Sequence, residues 1–583
     1  MGRNWVTRGL QLTSTLEFRV AALPPICALL AGFGAFAQTD PQPGAATVQQ
    51  WQDRKFGMFI HWGLYSIPAG VWKGERITRG YSEQIQSHAP IPKEEYEKLA
   101  AQFNPEKWDP EAVVKLARQA GMKFIVLTAK HHDGFNLFAT RQTNYNVVDA
   151  TPYAQDVVKQ LSEACARNGL KFGVYYSTID WHYPDATGWT EDNNKDIPEK
   201  HADFNVRQLR ELMTNYGPLS EIWFDMGNPT LEQSRRFAST VHSIQPECMV
   251  SGRVFHHQGD FAVMGDNRIP KIILDEPWQT PGSIYPETWG YRSWQERTDL
   301  PGKIHEHILK LAEVVSRGGN YLLNIGPRGD GSIVEFEADV LRGVGAWLDK
   351  NGEAIYGARP QPFRELEFGN ATVKGNRLYL LVRNWPADGL LRLPGLKNRV
   401  RAAWFLTDRR RSPLRFETAG GIPSIRVVKR LETAPVTVIA ADLEGVPDVT
   451  PPAIGPDAAG VVTLTAAQGD TWYNYNGGGY YDPPTVYKRQ WNFTIARKGR
   501  YQCEIYFNQV EPGSNVEIVV DKRTIVGQID RSKGPGSVTI GTVDLLPKDH
   551  IVLRIAPSPY VKGAALGLDV DRIVLAPLTS SSR

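Results

Sequence analysis

Short, near-continuous apolar runs recur along the first 360 residues and alternate with amphipathic stretches. The runs are Gly57-Met58-Phe59-Ile60, Phe124-Ile125-Val126-Leu127, Phe172-Gly173-Val174-Tyr175-Tyr176, Ile222-Trp223-Phe224, Ile272-Ile273-Leu274 and Tyr321-Leu322-Leu323. Strands read this way when both faces of a sheet are covered. Helices are predicted between them. Asp109 followed by Pro110 is a cap and first-turn signal. Val113, Leu116, Ala117 and Ala120 then follow at helical spacing, and Gly121 ends the stretch. Val157, Leu161, Ala164 and Cys165 repeat the pattern, closed by Gly169. Strand–helix alternation over residues 52–356 predicts an α/β fold with a parallel sheet. A closed (β/α)8 TIM-like barrel fits the length. A doubly wound sheet is the alternative, but no GxGxxG follows the first strand.

After Pro360 the pattern changes to short alternating strands such as Leu378-Tyr379-Leu380-Leu381-Val382, separated by Gly and Pro turns. The chain thus divides into a barrel (38–358), a β-sandwich (359–445), a Pro-rich linker (446–456) and a second, accessory β-sandwich (457–583). The aromatic residues Trp472, Tyr473, Tyr475, Tyr480, Tyr481, Tyr487 and Trp491 surround Gly477-Gly478-Gly479 in the last unit, which suits a carbohydrate-binding surface. Asp569 and Asp571 offer carboxylates for Ca²⁺ there.

The first 37 residues stand apart. Arg3, Arg8 and Arg19 precede an apolar run from Val20 to Phe36, and Ala35-Phe36-Ala37 is a small-x-small cleavage pattern. This predicts a secretory signal peptide, hence a secreted or periplasmic protein with no membrane span once it is cleaved. Its removal lowers the formal charge from +3 to +1. With Lys+Arg 66 against Asp+Glu 63, no nucleic-acid partner is indicated. Cys165, Cys248 and Cys503 remain, too few and too scattered for a disulfide framework or a CxxC metal site. Sixteen Trp in 583 residues favour surfaces that stack sugars or bases.

Barrel enzymes carry their chemistry where strands end. His61, His131, His132, Asp133, Asp180, His182, Asp225, Arg253, Asp275 and Glu276 follow the apolar runs. Such a rim suits either metal-assisted hydrolysis or glycoside hydrolysis by two carboxylates. Adjacent residues on a strand point to opposite faces, so His131 and His132 are not expected to hold one ion together, and no HxH or HExxH occurs. No metal and no other cofactor are expected.

The motifs KFGMFIHWG (55–63), GMKFIVLTAKHHDGF (121–135), NYNVVDATPY (144–153), LKFGVYYSTIDWHYP (170–184), EIWFDMG (221–227), GGNYLLNIGPRGDG (318–331) and NGEAIYG (351–357) occur in one order across the barrel. In this respect residues 52–358 resemble glycoside hydrolase family 29, the retaining α-L-fucosidases. The resemblance implies that Asp225 is the catalytic nucleophile and Asp266 the general acid/base, with Glu276 and Glu287 as the other candidates. A Glu common after Trp in the family is Gln279 here, and a family Trp is Gln84. The resemblance further assigns His61, Glu83, His131, His132, Tyr175, Arg253 and Trp289 to substrate binding, with Trp289 against the fucose methyl. Trp72, Trp181 and Trp278 either wall the pocket or pack the barrel loops.

The implied function is hydrolysis of terminal α-L-fucosyl linkages of glycans, the partner being a fucosylated glycan. The alternatives are an α-L-galactosidase or related exo-glycosidase, and a glycan-binding protein with a disabled barrel.

Overall fold

The structure, a computed structural model, describes residues 42–578 except 185–187, 271, 272, 275, 429–433, 451, 452, 475–484, 512, 513, 530–534 and 561–564. The predicted signal peptide, Asp275, the Gly477–Gly479 loop with its tyrosines, and the side chains of Trp472, Tyr473 and Tyr487 lie outside the described residues.

Eight parallel strands form the barrel: β1 (Phe56–Ile60), β2 (Phe124–Lys130), β3 (Lys171–Ser177), β4 (Glu221–Asp225), β5 (Met249–Val250), β6 (Ala262–Val263), β7 (Trp278–Ser283) and β8 (Asn320–Ile325). Each pairs with the next in sequence except β5 with β6, which are the two edges of the sheet, and β8 returns to β1. A single parallel bridge between Ser251 and Phe261 joins the β5 and β6 edges and closes the ring.

The helices α2 (Pro110–Gln119), α3 (Val157–Arg167), α4 (Glu199–Asn215), α5 (Leu231–Ile244), α6 (Leu300–Ser316) and α7 (Glu335–Asn351) connect the strands. Asp109 accepts from the amides of Glu111 and Ala112, so the predicted cap forms. Among the described residues the β5–β6 and β6–β7 connections carry no α-helix. The barrel is therefore less regular than a full (β/α)8 repeat.

The run Ile273-Leu274 is not a strand, and the seventh strand is the polar stretch Trp278–Ser283. This corrects the placement of Glu276. It precedes β7 and belongs to the face where the strands begin, whereas Asp225 ends β4 on the opposite face.

An N-terminal helix, α1 (Ala45–Arg54), supplies Trp51 to the strand-start end of the barrel. Trp51 is fully buried, 4.4 Å from the Phe261 ring, and its indole donates to Glu221 (2.6 Å). Trp278 packs near that end also, with its indole on the Arg317 carbonyl. Filling the barrel with rings of this size contributes about 1.5–3 kcal/mol or more per side chain.

The first sandwich stacks a four-stranded sheet (Gly369–Lys374, Arg377–Val382, Thr437–Leu443, Val400–Phe405) on a three-stranded one. Its Tyr379, Leu381 and Trp404 join the barrel's apolar core, and Trp347 of α7 donates to the Val436 carbonyl. The second sandwich, four strands on five, has its own core. Trp491 is fully buried there and donates to the Thr465 carbonyl, so it is a core residue and not a sugar platform. Asp569 Oδ2 accepts from Asn508 (3.2 Å) and Asp571 Oδ2 from Arg572 (2.5 Å). Cys165, Cys248 and Cys503 are buried free thiols. Among the described residues no helix is long and apolar enough to cross a membrane.

Candidate active site

The strand ends open into one cavity of about 530 Å³. Its lining includes the nine residues that the resemblance assigns to catalysis and substrate binding: His61, Glu83, His131, His132, Tyr175, Asp225, Arg253, Asp266 and Trp289.

Inside β4 the period of two puts Glu221, Trp223 and Asp225 on one face, with Asp225 at the rim. Two donors fix its carboxylate. Tyr175 gives its hydroxyl to Oδ2 (2.8 Å) and Arg253 its Nη1 to Oδ1 (2.8 Å). The next two residues, Met226 and Gly227, are both left-handed (φ 61° and 78°). A Cβ at Gly227 would stand 2.7 Å from Thr178 Oγ1, so only glycine fits. Thr178 gives its hydroxyl to the Met226 carbonyl and holds this turn.

Arg253 lies in a tight turn after β5 and reaches both carboxylates. Its Nη2 donates to Asp266 Oδ1 (2.9 Å), and its guanidinium sits 4.6 Å from the centre of the Trp223 ring. Asp225 and Asp266 thus share one guanidinium, which places their nearest oxygens no more than about 8 Å apart. Asp266 Oδ2 makes no hydrogen bond among the described residues.

Three neutral imidazoles line the cavity. Burial pushes His61 and His132 down to about 4 and His131 well below the usual histidine range. Asn324 gives its amide to the Trp289 carbonyl, so its oxygen faces His61 Nδ1 (2.7 Å), which carries the proton. Ser177 gives its hydroxyl to the Ile179 carbonyl and accepts from His132 Nδ1 (2.8 Å). Nε2 of His61 and of His132 therefore keep lone pairs, suited to accept from hydroxyls. His132 Nε2 and Asp225 Oδ2 stand 4.0 Å apart, both acceptors.

The expectation that His131 and His132 face opposite ways fails. Both follow the end of β2 at Lys130, where strand alternation no longer applies, and their rings stand 4.0 Å apart beside the cavity. Alternation does hold within β3. Tyr175 points inward, while Tyr176 points out to Asn205 and Gln208 of α4.

Glu83 lies in a short helical turn, 2 % exposed, and accepts from the amides of Trp289 and Gly290. Burial pushes it up to about 7 from 4.5. Between those values the folded protein keeps a proton that the unfolded chain releases, so this group's stability contribution falls as pH rises through that window. Glu83→Gln, which cannot ionise, is expected to gain on the parent by about 3 kcal/mol between about pH 5 and pH 8. Urea unfolding at both pH values measures it. An unchanged difference between the two proteins would refute the shift.

Gln279 is not at the rim. It is the second residue of β7, fully buried, between Trp223 Nε1 (3.0 Å) and Glu221 Oε1 (3.0 Å). Glu287 lies beyond β7, exposed and paired with Gln295, and does not line the cavity. Nor do Trp72, Trp181 and Trp278, which pack the loops and core.

Sequence reasoning missed Trp223, Asn324 and the wall formed by Thr190, Glu191, Asp192, Asn193 and Asn194. Trp223 was legible from its two-residue offset to Asp225. The wall segment had no such signal. It is held by Trp181 Nε1 on Asn193 Oδ1 (3.1 Å), by the Gly227 amide on the Asn193 carbonyl (2.8 Å) and by Ser87 Oγ on the Thr190 carbonyl.

The family model for α-L-fucosidase matches residues 35–353, which contain the whole barrel and all nine residues. The chain belongs to the α-L-fucosidase family. It is a glycosidase of glycoside hydrolase family 29. Over 378 residues this α-L-fucosidase family member is 32 % identical to the human tissue α-L-fucosidase, covering 60 % of this chain and 79 % of that one. The α-L-fucosidase from Vibrio sp. strain EJY3 superposes with a TM-score of 0.65 at 26 % identity, over 92 % of this chain and 99 % of that one. The likeness therefore runs past the barrel into the sandwiches. A Bacteroides thetaiotaomicron family-29 α-L-fucosidase, a trapped covalent intermediate with 2-fluoro-fucosyl fluoride, superposes at 0.63 and 27 % identity, covering 70 % and 98 %.

Proposed function

We propose that the protein removes terminal α-L-fucose from glycans with net retention, outside the cytoplasm. The observation that carries this reading is Arg253, which holds Asp225 and Asp266 on its two terminal nitrogens within one cavity. Asp225 attacks C1 of the sugar and the bond from C1 to the aglycone oxygen breaks, that oxygen taking a proton from Asp266. Water then gives a proton to Asp266 and attacks C1, releasing fucose and restoring the Asp225 carboxylate.

The neutral lone pairs of His61 and His132, the hydrogen-bonding nitrogens of His131, and the Glu83 carboxyl suit a ring of hydroxyls. Trp289, 5 % exposed and tilted against His61, supplies an apolar surface for a 6-deoxy carbon. A galactose hydroxyl there would find no partner in the indole ring. The fucosidase names of the relatives, among them the trapped covalent intermediate, support the sugar and the two-step course. We assign the accessory sandwich to glycan attachment on its aromatic content.

An aryl α-L-fucoside and the matching α-L-galactoside test this directly, with the first-formed anomer read by NMR. Fucoside turnover giving the α-anomer is expected. Turnover of the galactoside alone would overturn the sugar, and the β-anomer would overturn the two-step course.

A further inference from the structure

The barrel interior is unusually polar below the cavity. Branched aliphatic layers fill most barrels of this kind. Here Glu221, Gln279, Trp223 and Trp51 replace part of that filling, all at most 2 % exposed. They form one chain of hydrogen bonds. Trp51 Nε1 donates to Glu221 Oε2 (2.6 Å), Gln279 Nε2 to Glu221 Oε1 (3.0 Å), and Trp223 Nε1 to Gln279 Oε1 (3.0 Å). Each buried donor has its acceptor, and removing one partner strands the other.

The Trp223 ring meets both groups that hold Asp225. Tyr175 stacks on it at 5.7 Å and 20° between planes, and the Arg253 guanidinium lies over it at 4.6 Å. An indole free to rotate would release both. The one hydrogen bond that fixes its rotation is the bond to Gln279.

The geometry points to Gln279 as a positioning residue, which acts through Trp223 on Tyr175 and Arg253 and so aims Asp225. The inference rests on the fucosidase reading, in which Asp225 must be aimed at C1. It also gives a physical role to the residue whose type departs from the family pattern. The amide both accepts from Trp223 and donates to Glu221; a carboxylate at this position would put two anions against each other.

The test is a double-mutant cycle on the full chain with an aryl α-L-fucoside. Gln279→Met keeps the volume and removes the hydrogen bonds, and Trp223→Phe removes the same bond from the other end while keeping a ring. Each is expected to lower kcat about tenfold with KM within about twofold of the parent. The double variant should lose less than the product of the two single losses, because the two variants share the Trp223–Gln279 bond. Additive losses, or a parental kcat in either folded single variant, would overturn the proposal. Should Gln279→Met not fold, Gln279→Asn, which keeps the amide but withdraws it from the Trp223 indole, takes its place in the cycle with the same expected loss. Absence of turnover in the parent protein would instead overturn the fucosidase reading, so the two failures are distinct.

Discussion

Replacing Asp225 by alanine is expected to lower kcat on an aryl α-L-fucoside by about 10⁴-fold, the scale seen when one member of a reacting set is removed. The fold should survive. Asp225 lies at a strand end, and its partner Arg253 keeps Asp266 as an ion pair. The loss should be partly reversed by azide. A small anion fits the space vacated between the Tyr175 hydroxyl and Arg253 Nη1, which stand 2.8 Å from the two carboxylate oxygens. Azide attacks from the same side and leaves a fucosyl azide of inverted configuration. Unchanged turnover in a folded Asp225→Ala protein would remove this residue from the reaction.

Asp266→Asn has the second-largest expected effect, and it depends on the leaving group. General acid help is worth about 10²–10⁴-fold, and it matters when the departing oxygen is a poor leaving group. We expect a loss of that size on an oligosaccharide fucoside and a much smaller one on a dinitrophenyl fucoside. An equal loss on both would assign Asp266 to holding Arg253 and shift attention to Glu191 and Asp192, the carboxylates of the 190–194 wall.

Much of the barrel was legible because strands covered on both faces carry near-continuous apolar runs, as in β1 to β4 and β8. The missing strands explain themselves. β5 and β6 are two residues each, too short to leave a pattern. β7 reads Trp-Gln-Thr-Pro-Gly-Ser, because its inward residue Gln279 serves a polar network and Gly282 lies under the Tyr321 ring. The false strand at Ile273-Leu274 shows the converse, that an apolar run alone does not make a strand.

The nine cavity residues were found through matching motifs. Pattern alone placed polar side chains at strand ends but gave none of them a partner. Arg253 between Asp225 and Asp266, or Asn324 fixing the tautomer of His61 from 263 residues away, are facts of the folded chain. The argument from alternation misplaced His131 because it was applied one residue beyond the strand.

The single bridge between Ser251 and Phe261, with no α-helix described in the β5–β6 and β6–β7 connections, has a further consequence. This stretch of wall is a seam, its amides protected by two-residue ladders, and hydrogen exchange there should outpace that of β2 or β4. Arg253 and Asp266 flank the seam, while Asp225 hangs from a strand paired along both edges. In the proposed two-step reaction, the strand paired along both edges thus carries Asp225, which forms the bond to C1, and the seam carries Asp266, which gives a proton to the leaving glycan and takes one from water.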